Sequence, residues 1–223
     1  MKAYERFLKY VQINTASSET SETTPSTACQ FDLSNLLAEE MREIGVSEVY
    51  VDEHAYVYGV IPASEGLEDA MSIGFIAHLD TIPDFPGENF KPRLIENYDG
   101  GDIVLGDSGR ILSPVDFPHL PSLKGRSLIV TDGTTVLGAD NKAGVAEIME
   151  MAETIIKENL PHGRIAIGFC PDEEIGHGAS LMDLERFGAK VAYTADGGTI
   201  GEIEYENFNA ASGELKVTGR NIH

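Results

Sequence analysis

The sequence has two cysteines, no tryptophan, and 16 basic residues against 37 acidic ones. Cys29 and Cys170 are far apart and the second ends an apolar run, so no disulfide framework is expected and a reducing cytoplasm suits the chain. The formal charge of -21 opposes phosphate backbones and anionic lipid surfaces, which argues against nucleic acid and membrane partners. No segment is apolar for long enough to span a bilayer. The N-terminal MKAYERFLKYVQ carries Tyr4, Phe7, Leu8 and Val11 among charges, which is the spacing of an amphipathic helix and not of a secretory signal. What is present, 223 residues with 42% hydrophobic content, is enough to bury a sizeable core.

Apolar periodicity divides the chain into elements. After the first helix, NTASSETSETTPST reads as an exposed polar loop, and Pro25 and Ser26 are predicted to open a second helix with Leu33, Leu37, Met41 and Ile44 as its buried stripe. VSEVYVDEHAYVYGVIPA alternates like two strands, and MSIGFIA is the continuous run of a strand covered on both faces. From Asp84 to Lys124 the chain is rich in Pro, Gly and Asp, with a strand candidate at IVLG, and reads as an excursion beside the core sheet. SLIVTDG resumes strand character. NKAGVAEIMEMAETIIKEN is a helix with Val145, Ile148, Ala152 and Ile155 on one face, and RIAIGFC and VAYTA are strands flanking the helical segment SLMDLERFG. This alternation predicts an α/β fold: a mainly parallel, mixed sheet flanked by helices on both faces. Near Asn207 the pattern changes, and ASGELKVTGRNIH is expected to be the first strand of a second domain, which divides the chain into 1–207 and 208–223.

Polar residues recur where the apolar strands end. FIAHLDT supplies His78 and Asp80, LGADNKAG supplies Asp140 before a helix, FCPDEE supplies Asp172, Glu173 and Glu174, and VAYTADGG supplies Asp196. In an open parallel sheet those ends line one edge, where ligands bind, so one His and several carboxylates converge there. Three adjacent acids repel one another at the mouth of a buried strand, and a bound cation offsets that repulsion. Imidazole with carboxylate oxygens and no thiolate suits zinc, cobalt or manganese and excludes iron–sulfur and Cys-type structural zinc sites. Alternation along the strand end puts Asp80 on the side of His78, where it can accept from the second imidazole nitrogen and strengthen the ligand. His54, His119 and His162 read as surface or turn residues, and His177 sits at a Gly-flanked turn.

GFIAHLDTIPDFPGENFKP, TDGTTVLGADNKAG, PDEEIGHG, TADGG and VTGRNIH together resemble the cocatalytic dizinc exopeptidases and amidohydrolases, and the excursion after Asp80 points to their aminotripeptidase branch. The resemblance implies a zinc peptidase catalytic domain over 1–207 and the start of a lid and dimerisation domain at 208–223. It implies two zinc ions per complete subunit: His78 and Asp196 bind one, Asp140 bridges both, and Glu174 binds the other. Asp80 then orients His78, Glu173 is the general base, and Asp172 is a structural partner. His223 is implied to reach the active site of the opposite subunit and stabilise the oxyanion. The implied activity is release of the N-terminal residue from tripeptides, in the cytoplasm, by a homodimer when the protein is full length.

Two departures qualify what the resemblance implies. Asn141 stands where the family often has a second Asp, often across a cis peptide. Family members are also much longer, and their remainder carries most of the lid and the final His ligand of the second zinc. One site keeps His78, Asp140 and Asp196, whereas the other keeps Asp140 and Glu174, below the three protein ligands usual for catalytic zinc. The chain by itself is therefore expected to be weakly active or inactive. Two other readings stay open: a dipeptidase or N-acyl amino acid deacylase of the same family, and a metal-binding module without activity.

Overall fold

The computed structural model describes residues 1–85, 89–198, 201–206, 211 and 213–220. Its centre is a five-stranded sheet built from β1 (Ser47–Val51), β2 (Val57–Ile61), β3 (Ile73–His78), β8 (Ile165–Cys170) and β9 (Val191–Thr194), in the order β1-β2-β8-β3-β9. The sheet is mixed. β1 with β2 and β2 with β8 pair antiparallel, while β3 pairs parallel with both β8 and β9. The β1–β2 pair follows from a hairpin at 52–55, where Asp52 Oδ1 accepts from the backbone N–H groups of His54 and Tyr56 at 2.9 Å each. The parallel half carries the polar strand ends, so the sequence-predicted edge exists.

One face of the sheet is covered by three helices, α1 (Ala3–Tyr10), α2 (Gln30–Ile44) and α3 (Ala139–Lys157). Leu33, Leu37 and Met41 of α2 and Val145, Ile148, Met149 and Ala152 of α3 meet Val57, Ala77, Ile167 and Phe169 from the strands in one core. Burying each large aliphatic or aromatic side chain there contributes about 1.5–3 kcal/mol. The other face is covered far less than expected. SLMDLERFG yields a single helical turn, α4 (Leu184–Phe187), capped by Asp183 and ended by Gly188 in the left-handed region. Its Phe187 packs with Tyr56, Tyr58, Ala166 and Cys170, and all four residues of β9 remain exposed.

Three other expectations change. In α1 the buried side is Arg6, Phe7 and Tyr10, and Tyr4 is exposed. The reason is an ion-pair network: Arg6 donates to Glu40 Oε2 at 2.6 Å and to Glu153 Oε2 at 2.9 Å, which ties α1 to α2 and α3. The second helix starts at Gln30 and not at Ser26, because Ser26 is held elsewhere, as described below. The strand at SLIVTDG forms as β7 (Leu128–Val130) but pairs with β4 (Arg93–Ile95) outside the main sheet. With the hairpin of β5 (Ile103–Leu105) and β6 (Arg110–Leu112), β7 encloses a small separate core of Tyr98, Ile103, Leu105, Leu120 and Val130.

Among the described residues no helix is long and apolar enough to cross a membrane. Residues 211 and 213–220 are exposed and adopt no regular element. The strand expected there is not formed among the described residues, since an isolated strand has no ladder to join. His223 lies outside them.

Candidate metal centre

The register of the parallel strands brings the site together. His78 ends β3 level with Cys170, the last residue of β8, so Asp172, Glu173 and Glu174 follow directly beside it. On the other side Ile76 pairs with Thr194, and Ala195 N donates to Ile76 O at 2.8 Å, which brings Asp196 to the same edge. Asp140 arrives from a different element. It heads α3, where Asp140 and Asn141 depart from helical dihedrals and the peptide between them is cis.

His78 is 1% exposed. Its Nε2 lies 2.9 Å from Asp140 Oδ1 and 3.8 Å from Glu173 Oε2, and its Nδ1 lies 3.3 Å from Asp80 Oδ1 and 3.1 Å from the Asp80 carbonyl oxygen. Asp80 therefore holds the ring with Nδ1 turned inward and Nε2 facing the carboxylates. The same Asp80 carboxylate accepts from the backbone N–H of Glu173 at 3.0 Å and of Glu174 at 3.2 Å. One fully buried acid thus fixes both the imidazole and the acidic pair. His78, Asp140 and Asp196 each offer an atom within 4.8 Å of the others, and Glu174 stands outside that group.

Asp172 belongs to a different system. It is 1% exposed and its carboxylate accepts from Ser26 N at 2.7 Å, Ser26 Oγ at 2.6 Å and Gln30 Nε2 at 2.7 Å, while its own N–H donates to Gln30 Oε1 at 3.2 Å. This satisfies a buried charge without a cation and makes Asp172 the structural partner expected of it. The sequence reading missed Ser26 and Gln30. Their only signal is a Ser and a Gln four residues apart at the approach to a helix, and nothing local names a partner so far along the chain. His177 contributes its backbone N–H to Asp172 O at 2.8 Å and its ring is exposed. His54 and His162 bond backbone oxygens of Thr24 and Gly163.

The electrostatics of the site call for positive charge. Burial raises Glu174 to about 7, and Asp140 adds to the rise. Burial likewise raises Glu173, opposed by His78 and reinforced by Asp196, Asp80 and Asp140. Asp196 is raised by burial and by the neighbouring Asp140. Burial works against an imidazolium at His78, yet the Asp80 carboxylate and then Asp140 push it up to about 9. Carboxylates crowded around a buried imidazole are the surroundings that a divalent cation neutralises. The nearby thiol does not compete, because Cys170 is buried with Sγ toward Ala77 O at 3.8 Å. The residues fit a divalent ion held by nitrogen and oxygen donors.

No protein-family profile matches the chain. A curated relative named Peptidase T, from Clostridium perfringens, is 54% identical over 223 residues, covering 100% of this chain and 54% of that protein. Among solved structures, aminopeptidase PepT from Bacillus cereus gives a TM-score of 0.61 at 27% identity, covering 88% of this chain and 43% of that one. A tripeptidase from Staphylococcus aureus gives 0.62 at 25% identity, covering 89% of this chain and 43% of that one. The chain spans about half the length of the curated relatives it matches. With more than half of its residues identical along its whole length, and with the fold of the solved relatives, this chain belongs to the peptidase T family.

Proposed function

We propose that the protein to which this chain belongs is a zinc-dependent aminopeptidase that releases the N-terminal residue from short peptides, chiefly tripeptides, and that it works in the cytoplasm as a homodimer. The observation that carries this reading is the convergence of His78, Asp140 and Asp196, with the Glu173 carboxylate 3.8 Å from His78 Nε2. The names of its relatives support the substrate class. His78, Asp140 and Asp196 would hold one zinc, and Asp140 and Glu174 would serve a second. Zinc, when bound, supplies Lewis acidity that activates water and polarises the scissile carbonyl. Glu173 takes a proton from the attacking water at its carboxylate and later delivers it to the leaving amine. Asp80 keeps the His78 ring turned and, through the two backbone bonds, keeps Glu173 and Glu174 aimed at the same space. His223 and the boundary between 1–207 and 208–223 belong to this reading as the start of a lid whose imidazole steadies the oxyanion in the opposite subunit.

A second reading has its own support. Glu174 stands outside the three-donor group, which favours a metal-binding chain without activity when the chain is taken by itself. One experiment decides between them: zinc content and tripeptide turnover measured on this chain and on a relative-length protein. The first reading expects two zincs and turnover from the longer protein; zinc without turnover in both supports the second.

A further inference from the structure

Gly144 has no room for a side chain. A Cβ built there would lie 2.2 Å from the carbonyl oxygen of Ala195 and 2.4 Å from Asn141 Oδ1. The first obstacle is backbone, which cannot swing aside as the tip of a methionine can. Gly144 lies in the opening of α3, just after Asp140, and Ala195 directly precedes Asp196. Ala195 is itself pinned to β3 through its N–H bond to Ile76 O at 2.8 Å, two residues before His78. A single contact therefore joins the three elements that bring His78, Asp140 and Asp196 together. Asn141 adds to the tight fit: it is 2% exposed, and among the described residues its amide nitrogen has no partner, so packing and not hydrogen bonding holds it there. Helix propensity points the other way, since alanine in place of glycine inside a helix is favoured by about 1 kcal/mol. A glycine stands where the local structure alone would prefer a side chain.

We propose that Gly144 is a positioning residue of the metal centre: its bare Cα lets the start of α3 rest on the backbone at Ala195, which sets the spacing of Asp140 and Asp196 for one ion. The proposal rests on the metal-centre reading above. It is tested on the 223-residue chain by zinc titration against a chromophoric chelator and by the visible spectrum of the cobalt-loaded chain. Gly144→Ala is expected to weaken zinc binding at least about tenfold, as shifts in the surroundings of metal ligands do, and to change the cobalt bands. Gly59→Ala is the control, because a Cβ there meets Met41 Cε at 2.2 Å and the stiffer Val46 Cγ1 at 2.8 Å, in the core and away from the strand ends. It should lower the unfolding midpoint and leave zinc affinity and cobalt bands as they were. Unchanged affinity and bands in Gly144→Ala, or equal weakening in Gly59→Ala, overturn the proposal. A wild-type chain that binds zinc no better than His78→Ala overturns the metal-centre reading, and the proposal with it; a failure at Gly144 alone leaves that reading standing. Should Gly144→Ala not fold, hydrogen exchange of the wild-type chain decides. Zinc is expected to protect the segments around 144 and 195 together, and protection of only one of them overturns the proposal.

Discussion

The two halves of the metal centre are held in opposite ways. His78 and Asp80, with Asp172 in the separate network beside them, are each exposed by 1% or less, and each is fixed by hydrogen bonds. The side chains of Asp140 and Glu173 are 64% and 50% exposed. The closed half is part of the core, so changes there disturb the fold before they disturb the chemistry. The open half borrows its geometry: Asp140 from the packing of α3 on the strand ends, Glu173 from the backbone bond to Asp80. On the proposed reading, stability and reactivity are thereby divided between neighbouring residues.

The largest effect that would break this division is expected at Asp80. Asp80→Ala removes the carboxylate beside His78 Nδ1, leaving it only the backbone carbonyl, and removes the acceptor for two backbone N–H groups; breaking a buried charged set of this kind costs about 3–5 kcal/mol. Urea unfolding should show that loss, together with weaker zinc binding; a variant as stable as its parent would mean that the closed half is not structural. Next comes the open half. In a relative-length protein, Glu173→Ala should keep its zinc while tripeptide turnover falls by at least about a hundredfold, the usual contribution of a general base. Metal loss in that variant would erase the distinction between ligand and base. A smaller effect is expected at Ser26→Ala, which takes one charge-assisted bond from Asp172 and should cost about 1.5–3 kcal/mol in the same unfolding assay. The smallest effect lies outside the site and sharpens the comparison. The N-terminal ammonium and then Arg6 hold Glu153 down at about 2. A depressed carboxylate contributes stability that is present above its unfolded value near 4.3 and is lost as pH falls toward about 2. Glu153→Gln should flatten the acid limb of stability in that window and leave zinc affinity untouched.

Much of this division could be read from the sequence, and the reasons for what could not are physical. Continuous apolar runs identified β3 and β8, and the polar residue closing each run located His78, Asp80 and Glu173, because a strand's side-chain alternation is local and regular. Asp140 was legible as a helix entrance. Ser26 and Gln30 were not, since their partner Asp172 is distant in sequence and a Ser in a polar loop looks the same whether tied or free. Periodicity puts Tyr4 on the apolar side of α1 because it counts apolar residues, whereas the network around Arg6 and Glu40 decides which side turns inward. The antiparallel placement of β2 beside β8 was likewise invisible: both are uniformly apolar, and neither announces its direction.

The place of β3 in the sheet bears on how the molecule is made. β3 is an interior strand and early in the chain, and both of its neighbours, β8 and β9, are synthesised long after it. Asp80 waits for the backbone of Glu173, 93 residues further on, and Ser26 waits for Asp172, 146 residues away. Closing loops of that size is what slows folding in chains with many distant contacts. The segment that emerges meanwhile, from β4 to β7, has its own small core and can collapse locally. On the ribosome the strand that ends in His78 therefore stays unpaired while a satellite folds beside it, and the assembly of the metal centre is one late event.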